Sequence, residues 1–135
     1  LTHIAKSTDN LPDGTFWCEK FEGRHLSVDY YRGTQTLCVE GHKSSDSLSR
    51  WDLWEKTDDE IPYPDILKEL VGQYDWVNVE FIGGKIIEIH LRQNPDFMFH
   101  NKSYIIPAYG ETHLDGHVLI EWADHERSGF FIPEN

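Results

Sequence analysis

The dipeptide Gly83-Gly84 stands between two runs of alternating apolar residues, and no other feature restricts the fold of this chain so tightly. Paired glycines supply the two positive-φ positions of a tight hairpin turn. Residues 76–82 and 86–92 are therefore predicted to lie side by side as antiparallel strands. On the first strand Val77, Val79 and Phe81 share one face, while Asn78 and Glu80 share the other. On the second, Ile87, Ile89 and Leu91 alternate with Glu88, His90 and Arg92.

The turn decides whether the two polar faces coincide. A two-residue loop pairs Glu80 with Ile87 and separates the carboxylates of Glu80 and Glu88 by face. A three-residue loop through Lys85 pairs Glu80 with Glu88, with Cβ atoms roughly 4.5–5.5 Å apart. Carboxylates that close repel unless a cation or a proton lies between them. Mg²⁺ takes oxygen ligands of this kind, usually alongside substrate phosphates. The competing reading is the solvated face of an ordinary amphipathic hairpin.

Upstream, Leu11-Pro12-Asp13-Gly14 signals a turn, and residues 15–21 are rich in strand formers. Residues 24–31 alternate, with Leu26, Val28 and Tyr30 on one side and His25, Ser27, Asp29 and Tyr31 on the other. Past Arg32-Gly33, residues 34–41 complete a predicted three-stranded meander. Residues 42–60 are polar and read as a loop with one short turn of helix. Pro64 and Gly72 bracket a helix over 65–71, with Ile66, Leu67, Leu70 and Val71 on one face. A short strand at 104–106 and a hairpin of 117–122 with 129–132 end the chain. The expected class is α+β, a largely antiparallel sheet with one principal helix.

At 135 residues the chain amounts to one domain, long enough to bury a core. The excess of 24 acidic over 12 basic side chains gives a net charge of −12, which repels phosphate backbones and argues against nucleic acid as a partner. No apolar run approaches the roughly 18–20 residues of a membrane helix, and no signal peptide is visible. Cys18 and Cys38 lie in strand-like apolar surroundings. They read as buried thiols of a reducing, cytoplasmic compartment, with one cross-strand disulfide as the alternative. The chain begins at Leu1 rather than Met, so a fragment or an excised module is expected.

The hairpin resembles the C-terminal signature of the ATP-grasp superfamily. There an acidic residue on one strand is followed, past a short turn, by Glu-x-Asn-x-Arg. Here the matching residues are Val79-Glu80-Phe81 and Glu88-Ile89-His90-Leu91-Arg92. The helix just upstream suits the family's order. So does the stretch from Phe16 to Asp29, whose Glu19-Lys20-Phe21 and Arg24-His25 are similar to the hinge strand and following strand of biotin-carboxylase-like members. The resemblance spans residues 15–95 and leaves a β-rich extension, 96–135, without a role.

The resemblance implies that Glu80 and Glu88 ligate Mg²⁺ ions bridging ATP phosphates. His90 stands where the family usually has Asn, a third metal ligand. Arg92 would contact phosphates or an acyl-phosphate intermediate as the catalytic cation. The backbone at Lys20 and Phe21 would meet the adenine edge, with Glu19 beside it, and His25 matches a nucleotide-pocket histidine. The implied activity is ATP-driven joining of a small-molecule carboxylate to an amine or another nucleophile. Family members bind ATP between two subdomains, and 14 residues precede Thr15. The expected partner is a missing N-terminal half or a second chain.

Other readings compete. A non-catalytic β-rich binding module would use Trp51 and Trp54, the best exposed of five tryptophans, as a docking loop. A small metal-dependent β-barrel enzyme would use His113, Asp115 and His117. On a strand, however, 113 and 117 lie roughly 13 Å apart, too far for one metal, so a polar turn is expected there. Ser27 and Ser49 lack the glycines of a nucleophile elbow.

Overall fold

The computed structural model describes residues 4–135. Among the described residues eight strands form one antiparallel sheet: β1 (His25–Tyr31), β2 (Thr34–His42), β3 (Leu53–Lys56), β4 (Trp76–Ile82), β5 (Lys85–His90), β6 (Tyr104–Ala108), β7 (His117–Asp124) and β8 (Arg127–Pro133). Their order across the sheet is β5-β4-β1-β2-β3-β6-β8-β7. One helix, α1 (Asp65–Val71), and a 3₁₀ turn at Pro95–Phe97 complete the fold. No helix among the described residues is long and apolar enough to cross a membrane.

Each face of the sheet carries a core. Leu26, Val28 and Tyr30 of β1 share a face with Cys38 of β2 and with Val77, Val79 and Phe81 of β4, and α1 closes over them. The helix does so through Leu67, which is fully buried. Ile66 and Leu70, expected on the same buried face, point outward instead. At seven residues the helix is too short to bury a wide stripe. The opposite face holds Val39, Phe97, Ile105 and Phe130, with Trp54 and Ile132 packed against them. Strands β6, β8 and β7 thus continue the sheet begun by residues 25–42 and supply half of its second core.

Three expectations need correction. Residues 15–21 form no strand, and Phe16 is 90% exposed. β1 already has β2 on one edge and β4 on the other, so the meander expected from residues 15–21 has no place beside β1. Residues 53–56 are a strand rather than loop, bridging β2 and β6. Cys38 is buried as expected, and burial pushes its thiol pKa up, but Cys18 is exposed on the irregular segment. Both cysteines are free.

Candidate metal centre

The hairpin of β4 and β5 closes on a two-residue loop, with Ile82 opposite Lys85 and positive φ at both Gly83 (56°) and Gly84 (81°). Such a loop on its own would place Ile87 across from Glu80. Instead Phe81 pairs with Ile86, Glu80 pairs with Glu88, and Ile87 is left over as a β-bulge. The two carboxylates therefore face each other by a route that neither simple loop provides.

The ligand-capable atoms of Glu80, Glu88 and His90 all lie within 4.8 Å of one another. His90 Nε2 is 3.7 Å from Glu88 Oε2. Glu80 is largely enclosed, and its Oε1 lies 3.9 Å from Nε2 of His25 on the adjacent strand β1. Glu80 and Glu88 titrate as a pair. Burial works against ionising Glu80, but His25 and a shared hydrogen bond with Glu88 outweigh it and hold Glu80 below its usual range. Glu88 carries the cost. The bond to Glu80, and then burial, push its pKa up. Carboxylates this close repel unless a proton or a cation lies between them.

Behind the pair lies a buried polar network on the same sheet face. Asn78 donates to Ser27 Oγ at 2.8 Å and to Asp29 Oδ1 at 2.9 Å. The backbone N–H of Asn94 donates to both Asp29 oxygens, at 2.8 and 3.0 Å. Burial raises the Asp29 pKa, and these bonds oppose that rise. The network ties the segment after β5 to β1 and β4, which holds the hairpin against the sheet.

On the other side, the His25 ring meets Trp51 edge-on at 4.6 Å and Trp54 at 5.5 Å. Gly41 makes room for both indoles, since a Cβ there would fall 2.7 Å from Trp51. Trp51 and Trp54 are thus half-buried supports of His25 rather than an exposed docking loop.

The remaining expected site residues are placed as follows. Arg92 lies just past β5, and its guanidinium, which donates to the Gln93 carbonyl at 3.3 Å, is close enough to Asp29 to lower that group's pKa. Glu19, Lys20 and Phe21 lie on the irregular exposed segment against the hairpin tip. Glu19 pairs with Lys85, whose ammonium also sits 4.7 Å from the centre of the Phe21 ring. The backbone of this segment touches the turn directly: Gly83 N–H donates to the Arg24 carbonyl at 3.0 Å. His25 belongs to the carboxylate cluster. The tail histidines are engaged elsewhere, His113 with Asp115 and His117 with Tyr104.

Sequence reasoning missed Ser27, Asp29 and Asn78 as site supports, although their polar alternation on neighbouring strands was the available signal. The donor set of two carboxylates and an imidazole, converging from a bulged hairpin, is able to hold a divalent cation. Comparison with family models, with curated proteins and with solved structures finds no match.

Proposed function

We propose that Glu80, Glu88 and His90 hold a divalent cation that presents nucleotide phosphates, in the manner of the C-terminal, metal-binding part of an ATP-grasp-like ligase. The observation that carries this reading is the direct opposition of Glu80 and Glu88 beside His90. Two carboxylates kept at that spacing have a physical use when a cation neutralises them. The chemistry that ATP with a divalent cation would supply there is activation of a small-molecule carboxylate for attack by an amine or another nucleophile.

This chain's own residues would have three tasks. Glu80 and Glu88 would fix the cation. Arg92 would meet negative charge developing beside it. The segment from Glu19 to Phe21, held against the hairpin tip through Lys85, would border the nucleotide base. A second subdomain, from a longer chain or a partner, would cover the phosphates. Equilibrium titration of the chain with ATP, with and without divalent cation, tests the reading. Cation-dependent binding that falls about tenfold or more in Glu88→Gln supports it. Binding of nucleotide indifferent to cation, or none at all, overturns it.

One observation favours the alternative, a non-catalytic binding module. Phe16 and Trp17 are 90% and 65% exposed, which is unusual for adjacent large aromatics without a partner. A pull-down that depends on these two residues, from a chain that binds no nucleotide, would decide for it.

A further inference from the structure

His25 is the anomaly of the site. Its Nε2 is sealed from solvent and has no hydrogen-bond partner. Burying such an atom unpaired is costly, so it calls for a ligand that is not among the neighbouring side chains. The nearest acceptor, Glu80 Oε1, is 3.9 Å away, beyond hydrogen-bond reach. That spacing suits a different relationship. Two donors that share one cation, each about 2.1 Å from it, lie up to about 4.2 Å apart. The ring has little freedom to turn away, because Trp51 and Trp54 meet it edge-on.

From this geometry we infer that His25 Nε2 is a further donor to a cation held at Glu80, and that the centre selects a first-row transition ion such as Zn²⁺ or Mn²⁺ over Mg²⁺. The inference rests on the metal-centre reading above and narrows it. Glu80, Glu88 and His90 already bring ligand atoms within 4.8 Å of one another, and His25, which reaches the centre only through its 3.9 Å approach to Glu80, would make the donors two imidazoles and two carboxylates. Mg²⁺ prefers oxygen and keeps much of its water, whereas imidazole favours the transition ions. The indole pair then acts as the outer support of a ligand, fixing the ring as neighbours of metal-bound histidines commonly do.

Co²⁺ is the probe, because its visible bands report ligation directly. The full chain carries Cys18→Ser, since the exposed thiol would bind a soft metal itself. The expected result is one equivalent of Co²⁺ bound, displaced by Zn²⁺ but not by a hundredfold excess of Mg²⁺. His25→Phe keeps a ring between the indoles and removes the donor. It should weaken Co²⁺ at least tenfold and alter the bands, with the far-UV circular dichroism unchanged. Glu88→Gln should weaken binding at least as much. If His25→Phe binds Co²⁺ as the parent does while Glu88→Gln does not, His25 is no ligand and the metal centre stands without it. If Mg²⁺ displaces Co²⁺ at equal concentration, the selectivity is overturned. If the parent binds neither ion, the metal centre itself falls.

Discussion

Glu80 and Glu88 oppose each other across the hairpin because Ile87 has no partner on β4. The bulge moves Glu88 onto the face of Glu80 while the glycine turn keeps its two-residue form. Glu88 is the member of the pair that resists ionisation. Its raised pKa means that the folded state binds a proton more tightly than the unfolded chain does. The contribution to stability is therefore present at low pH and lost as pH rises through the folded pKa. Glu88→Gln is expected to melt higher than the parent at pH 8, with the difference vanishing near pH 4. Thermal denaturation at the two pH values checks this. An equal shift at both would show that repulsion is not its cause.

The opposite sign applies at the carboxylate that Asp59 presents to Arg24. Its guanidinium bonds to Glu40 at 3.0 and 2.6 Å and to Asp59 at 3.2 and 2.7 Å. Arg24, helped by Thr57, holds the Asp59 carboxyl down at about 2. Stability from this carboxylate is present above its unfolded pKa, near 3.9, and lost as pH falls toward 2. Arg24→Gln should remove that part of the acid dependence. Urea midpoints between pH 2 and 6 that fall equally steeply in both proteins would contradict it.

Asn78 is the hub of the buried network, so its loss strands both neighbours. Asn78→Ala should destabilise the fold by about 2–4 kcal/mol, since Asp29 is left buried with fewer donors. Urea unfolding measures it. A cost under about 0.5 kcal/mol would mean that water replaces the amide.

Leu67 is fully buried and carries the docking of α1. Leu67→Ala is expected to cost about 2–5 kcal/mol. Leu70→Ala, at an exposed position on the same helix, should stay within about 0.5 kcal/mol. Comparable losses at both sites in chemical denaturation would place the buried helical face wrongly.

The two turn glycines are not equivalent. A Cβ at Gly83 would lie 2.2 Å from the Glu22 carbonyl oxygen, and its φ is positive, whereas Gly84 has open space. Gly83→Ala should cost about 1–3 kcal/mol, and Gly84→Asn close to nothing. Equal effects on the urea midpoint would show that the irregular segment does not rest on the turn.

The hairpin, the helix bounds and the terminal hairpin were legible because each rests on local signals: Gly83-Gly84, Pro64 with Gly72, and period-two alternation. The opposition of Glu80 and Glu88 was legible only as one of two registers. A bulge at Ile87 leaves no mark in composition. Strand β3 was hidden because its four residues, Leu53 to Lys56, gain their partners from β2 and β6, far away in the chain. The failed strand at 15–21 shows the converse. Its residues suit a strand, but both edges of β1, the strand that follows them, are already taken by β2 and β4. The polar alternation of Ser27, Asp29 and Asn78 hinted at the supporting network, but its last partner was hidden, since Asp29 is satisfied by the backbone of Asn94, 65 residues later.

The bulge also makes the centre a reporter on how the hairpin has closed. A hairpin slipped by one residue would keep much of its backbone bonding, yet Glu88 would turn to the far side of the sheet. A cation bound by the carboxylate pair would therefore recognise one closure of β4 on β5 and reject its neighbours. Ligand binding and correct strand alignment would then be the same event, settled by a single unpaired isoleucine.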